Sequence, residues 1–132
     1  LLDTHIILWI IGESDKVPDK VKEIISNPEN DVFYSSVSIW EATIKRSVHP
    51  DKIIDISPEK FTSFCRESRF KELPLAGVHV YMLPTLVYPD EATPHKDPFD
   101  RMLISQAKSE GMTFITHDVL LPYYNEPCIL YV

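Results

Sequence analysis

Apolar positions along the chain fall into short runs of two different spacings. Leu1-Leu2 reads as the end of a buried strand, and Asp3-Thr4 leads into Ile6 to Ile11, an apolar run that predicts a helix closed by Gly12. Pro18 opens a second helix with Val21, Ile24 and Ile25 on one face, stopped near Pro28, and Val32-Phe33-Tyr34 predicts a second strand. From about Ser38, the positions Ile39, Trp40, Ile44 and Val48 recur at helical spacing up to Pro50, with Trp40 expected in the core. Ser57-Pro58 starts a helix that carries Phe61, Phe64 and Cys65 inward, and Val78 to Leu83 predicts another after Gly77.

Prolines at 84, 89 and 94 then impose an extended connection. Asp97-Pro98 pairs a cap with a first-turn proline, so a helix runs from there through Leu103, Ile104 and Ala107 to Gly111. Thr113 to Thr116 and Cys128 to Val132 follow as strands around a short turn near Tyr123. This alternation is the mark of an α/β fold with a mainly parallel sheet. No repeat or linker divides residues 1–132, which are expected to form one domain.

Composition narrows the function classes. With 44% hydrophobic residues over 132 positions, the chain can bury a real core without staples, which excludes disorder and collagen-like repeats. Cys65 and Cys128 make neither a disulfide framework nor a paired-cysteine zinc motif, so a reducing, cytoplasmic setting is expected. The run Ile6 to Ile11 is far short of the ~20 residues that span a bilayer, and no membrane association is expected. Around Asp3 there is no Lys or Arg, which does not fit a secretory leader, and the opening Leu in place of Met implies at least one further residue upstream. A formal charge of −7 opposes nonspecific attraction to nucleic acid, so any such partner would need local cations or bound metal.

The acids carry the chemical signal. Leu1-Leu2 gives way to Asp3-Thr4, and Phe114-Ile115-Thr116 to His117-Asp118. In open parallel sheets the carboxyl ends of the strands form the ligand crevice, so Asp3 and Asp118 are expected to face one cleft. Glu41 and Asp100, in the first turns of helices, can line the same cleft. Carboxylates gathered there repel one another unless a cation neutralises them, and a set of oxygen donors selects hard ions such as Mg2+ or Mn2+.

Each acid also has an ordinary alternative. Asp3 can cap the first helix, Glu41 can pair with Lys45 four residues on, Asp100 can complement a helix dipole, and Asp118 can cap the turn before Leu120. Asp97 is better explained as a helix cap than as a ligand. Thr4 and Thr116 read as hydroxyls that orient their neighbours. His95 and His117 flank the cleft without a catalytic assignment.

Four segments together carry a family likeness: Leu-Leu-Asp-Thr-His at 1–5, Ser-Val-Ser-Ile-Trp-Glu-Ala-Thr-Ile-Lys at 36–45, His-Lys-Asp-Pro-Phe-Asp-Arg-Met-Leu-Ile-Ser-Gln-Ala at 95–107, and Gly-Met-Thr-Phe-Ile-Thr-His-Asp at 111–118. In this order they resemble PIN-domain ribonucleases of the VapC toxin type. Two departures stand out: the stretch from about Lys52 to Pro94 matches only in general character, and Ser105 stands where alanine is common.

The resemblance implies a three-layer α/β/α sandwich with a mainly parallel central sheet. It makes Asp3, Glu41, Asp100 and Asp118 the catalytic and metal-holding acids, with Asp97 as an extra, Thr4 and Thr116 in support and Mg2+ as cofactor, Mn2+ being the alternative. It further implies cleavage of tRNA or other structured RNA, leaving a 5′-phosphate and a 3′-hydroxyl, together with a homodimer and inhibition by a cognate antitoxin seated in an apolar groove between the early helices. Lys45, Arg46, Lys96 and Arg101 are the candidates for RNA contact, and Arg66, Arg69 and Lys71 form a second basic cluster. Two other classes compete: a non-catalytic PIN-like RNA- or protein-binding module, and an aspartyl-phosphate enzyme or receiver. The last fits worse, because a haloacid dehalogenase-type site wants a second Asp two residues after the first and position 5 is His.

Overall fold

The computed structural model describes residues 1–51 and 54–132; Lys52, where the weakly matching middle stretch opens, lies outside them. Helices α1 (Thr4–Gly12), α2 (Asp19–Ser26), α3 (Ser36–Val48), α4 (Pro58–Glu67), α5 (Gly77–Met82) and α6 (Pro98–Glu110) alternate with short strands β1 (Phe33–Ser35), β2 (Lys71–Leu73), β3 (Phe114–Thr116) and β4 (Ile129–Tyr131). β1 pairs with β2 and β3 with β4, both in parallel. Residues Leu1 to Asp3 join the two pairs. The Leu2 N–H donates to the Phe33 carbonyl, the Asp3 N–H to Ile115 and the Ile115 N–H to Leu1, so the opening residues act as the central parallel strand.

Strand side chains alternate between faces, and this alternation builds two cores. Leu2, Tyr34 and Ile115 pack with Ile6 and Ile7 of α1, Val21 of α2, and Phe61 and Cys65 of α4. Their chain neighbours Leu1 and Phe114 pack on the other face with Leu103, Ile104 and Ala107 of α6, joined by Leu73 of β2. The expected α/β sandwich is therefore present, with helices on both sides of a parallel sheet.

Three features depart from the sequence reading. α3 starts at Ser36 rather than Ser38, because the Ser35 hydroxyl accepts from the Val37 N–H at 3.0 Å and caps the helix there. β2 has no counterpart among the expected strands, since Lys71-Glu72 is exposed at the sheet edge and only Leu73 turns inward. Trp40, expected in the core, is 56% exposed, with Ile44 and Val48 also outward, and its ring stands edge-on to Phe99 at 4.8 Å. The stripe's spacing is helical, but the buried face of α3 is formed by Val37, Ser38, Glu41 and Ala42.

Ser105 has a local reason to differ from alanine. Its hydroxyl donates to the carbonyl of buried His79 at 2.5 Å, and His79 Nε2 meets Glu110 at 2.8 Å, so polar contacts lock α5 onto α6. α6 ends at Gly111 with φ +64°, where the Met112 N–H returns to the Ala107 carbonyl. Nothing lies within 4 Å of an added Cβ, so Gly111→Ala strains only the backbone. The expected loss is about 1 kcal/mol, read from the urea midpoint; an unchanged midpoint would show that the left-handed turn is not required.

Candidate active site

The central strand and β3 end side by side, and the first acids follow from that. Asp3 occupies the N-cap position of α1 but its carboxylate caps nothing. Instead Oδ2 accepts from the Thr116 hydroxyl at 2.6 Å across 113 positions of sequence. Oδ1 is buried and accepts no hydrogen bond among the described residues, although His5 Nδ1 lies 3.2 Å away. An unpaired carboxylate oxygen at 1% exposure is a costly feature in a fold and a natural ligand for a cation.

Glu41 points inward from the first half of α3 and is 3% exposed. Oε2 accepts from Thr4 at 2.5 Å, while Thr4 is also held by the Ser38 hydroxyl at 2.9 Å. Oε1 accepts from Lys45 at 2.5 Å, so the expected i, i+4 pair exists, but on a buried acid rather than a surface one. Burial pushes the Glu41 carboxyl up to about 7, against the opposing pull of Lys45 and Thr4. Lys45 also reaches Asp97 at 3.1 Å; burial disfavours its charge, yet the bonds to Glu41 and Asp97 raise its pKa overall.

Asp100 is where the acids converge. Its carboxylate groups with Glu41 and Asp97 on one side and with Asp118 and His95 on the other, with potential ligand atoms within 4.8 Å of one another in each group. Burial raises the Asp100 pKa, as do the negative charges of Asp3 and Asp97, while the His95 bond works against the rise. His95 Nε2 meets Asp100 Oδ2 at 3.0 Å, and Nδ1 meets the Tyr124 hydroxyl at 2.9 Å. The Asp100 bond lifts the His95 pKa, overcoming burial.

For two acids the ordinary role and the site role coexist, because a carboxylate has two oxygens. Asp97 Oδ1 caps α6 by accepting from the Phe99 N–H at 2.9 Å, while Oδ2 faces Lys45. Asp118 Oδ1 accepts from the Leu120 N–H at 2.8 Å, and its own N–H donates to Thr116 Oγ1 at 3.0 Å. The donor set fits a hard divalent cation, because carboxylate oxygens predominate in both groups; Asp3 lies in neither group, but its buried Oδ1, 3.2 Å from His5 Nδ1, accepts no hydrogen bond among the described residues.

A family model for the PIN domain matches residues 1–124. The chain belongs to the PIN domain family. Among solved structures, the PIN domain is similar to VapBC2 from Rickettsia felis bound to a DNA fragment from their promoter, with a TM-score of 0.64 and 17% identity, covering 99% of this chain and 95% of that one. At that identity the likeness concerns the fold. No curated protein matches the chain in sequence.

Three side chains at the PIN-domain site went unassigned in the sequence reading. His95 bonds Asp100, Ser38 steadies Thr4, and His5 stands against Asp3. His95 lies just before the α6 cap, and Ser38 three residues before Glu41 on one face of α3, a spacing that offered a signal. The basic candidates are mostly engaged within the protein. Lys45 serves Glu41 and Asp97, Arg46 serves Asp55 and the Pro50 carbonyl, and Arg101 reaches the Tyr124 hydroxyl; Lys96 is exposed.

Proposed function

We propose that this PIN domain, acting as one unit over residues 1–132, is a Mg2+-dependent endoribonuclease and the toxin of a toxin–antitoxin pair. The observation that carries the reading is the convergence of Glu41, Asp97 and Asp118 on Asp100, whose carboxyl also feels the charge of buried Asp3. Asp3, Glu41, Asp100 and Asp118 would hold the ion, with Asp97 at the rim and Mn2+ able to use the same donors. When bound, Mg2+ supplies Lewis-acid charge for the phosphoryl oxygens and an acidified water.

The protein's own groups do the positioning. Thr116 fixes the carboxylate plane of Asp3 from β3, and Thr4 with Ser38 fixes Glu41 from the start of α1. His95, held by Tyr124, steadies Asp100. Lys45 offsets the charge of Glu41 and Asp97 at the edge of the cluster, where an anionic backbone would approach.

Partner surfaces are compatible with an antitoxin and a second copy of the chain in a cytoplasmic setting. Trp9, Ile10 and Ile11 of α1 are half-buried whereas Ile7 is fully covered, and Trp40, Ile44 and Val48 lie open on α3. No helix among the described residues is long and apolar enough to cross a membrane.

The reading is tested by incubating the purified chain with a tRNA pool in Mg2+ and in EDTA. Fragments ending in 5′-phosphate and 3′-hydroxyl are expected in Mg2+ alone. Intact RNA in both Mg2+ and Mn2+ would overturn the enzyme, and RNA bound but uncut would leave the non-catalytic module.

A further inference from the structure

We propose that the His117–Tyr131 ring pair, the outer end of an aromatic ladder that Trp9 and His5 continue edge-on, is a stacking platform for unpaired nucleobases of the strand whose phosphate lies among the acids. The proposal rests on the nuclease reading and names how that site takes hold of its substrate. The rings are contiguous. His5 and Trp9, one turn apart on α1, stand edge-on with centroids 4.9 Å apart, as do Trp9 and His117 at 5.5 Å, whereas His117 and Tyr131 stack at 5.6 Å with planes 12° apart.

The ladder starts at the acids and leads away from them. His5 Nδ1 is 3.2 Å from Asp3, and His117 is the chain neighbour of Asp118. Its outer end is Tyr131, whose β4 position pairs with Thr116 of β3. His117 is exposed and Tyr131 is 45% exposed, so both rings keep much of their surface in solvent. They are nevertheless held in place, since His117 Nδ1–H donates to the Val132 carbonyl and Tyr131 lies in β4. Tyr131 also walls an open hollow of about 270 Å³ with Pro122, Asn125 and Glu126, so the ladder ends on recessed surface.

Charge explains why aromatic rings should carry this task. The protein is at −7, and Lys45, Arg46 and Arg101 are engaged internally, so phosphate attraction is weak. Stacking needs no net positive charge and accepts any base, because every base has a π-face. The rings around His95 are less available, since Tyr124 is buried, holds His95 and Arg101 and is packed by Tyr88, while on α3 the exposed Trp40 ring stands edge-on to Phe99 with no parallel ring partner among the described residues.

The test uses a single-stranded oligouridine carrying one 2-aminopurine, with its fluorescence read by stopped flow in Mg2+ before turnover. The parent protein should quench the label on mixing, and equally on an oligothymidine, because stacking ignores the sugar. The same label inside a duplex should not be quenched. Tyr131→Leu and His117→Leu should each raise the half-saturating concentration and the KM for cleavage roughly tenfold, with a much smaller change in kcat, and Tyr131→Phe should restore the parent values. No quench by the parent protein, or parental quench and KM in both leucine variants, would overturn the ladder. Quench without cleavage keeps the ladder and removes the nuclease reading; cleavage with unchanged KM in both variants does the reverse.

Discussion

Asp100→Asn is expected to lower RNA cleavage by roughly a thousandfold or more while leaving the fold intact. The amide keeps the volume of the side chain, and its oxygen still accepts from His95. What disappears is the negative charge shared by two acid clusters, one with Glu41 and Asp97 and one with Asp118. Because burial and the charges of Asp3 and Asp97 already disfavour ionised Asp100, the metal-free variant should be no less stable than the parent. A cleavage time course at saturating Mg2+, with thermal melts of both proteins in EDTA, reads both effects. A variant that kept a tenth of the parent rate would remove Asp100 from the centre of the site.

The second large effect is on stability. Glu41 ordinarily titrates near 4.5, and burial lifts it to about 7 in the folded protein. Between those values the folded chain retains a proton that the unfolded chain has released, so stability falls as pH rises, and the full cost is present above about pH 7. Its upper size is about 3 kcal/mol. Raised Asp100 acts in the same direction, and so does raised His95, whose stabilising charge is lost as pH climbs through its folded pKa.

The metal-free protein should therefore melt higher at pH 5 than at pH 8. Glu41→Gln should flatten that difference, and Mg2+ should raise the pH 8 melting point by the equivalent of roughly 1.5–3 kcal/mol at ten to a hundred times its Kd. Equal melting points at the two pH values in EDTA, or no response to Mg2+ at pH 8, would mean that the acids are not under the electrostatic load described.

Which parts of this were legible in the sequence follows from where each signal resides. The α/β alternation and the α6 start at Asp97-Pro98 are local patterns, and both appear in the fold. Asp3, Asp100 and Asp118 stand out for the same reason, since they follow strand ends or open a helix, whereas Glu41, expected in a first turn, sits in the second turn of α3 because the Ser35 cap starts that helix at Ser36. β2 escaped because its strand character lies in pairing with Phe33–Ser35, far away in sequence, and Lys71-Glu72 carries no apolar alternation. Trp40 was misplaced because helical spacing identifies a stripe but not the side that faces the sheet. His95 was passed over because its meaning depends on Asp100 and Tyr124, and histidine in an irregular segment has no period to read.

The bond from Thr116 to Asp3 has a consequence for biosynthesis. The oxygen that orients the first acid comes from β3, in the last quarter of the 132 residues, and the fourth acid follows two residues after it. A nascent polypeptide still threaded through the ribosome with β3 inside the exit tunnel has Asp3 in the open but cannot complete the pocket. Assembly of the pocket is therefore coupled to synthesis of β3, and the acid at position 3 waits without its orienting hydroxyl until Thr116 has emerged.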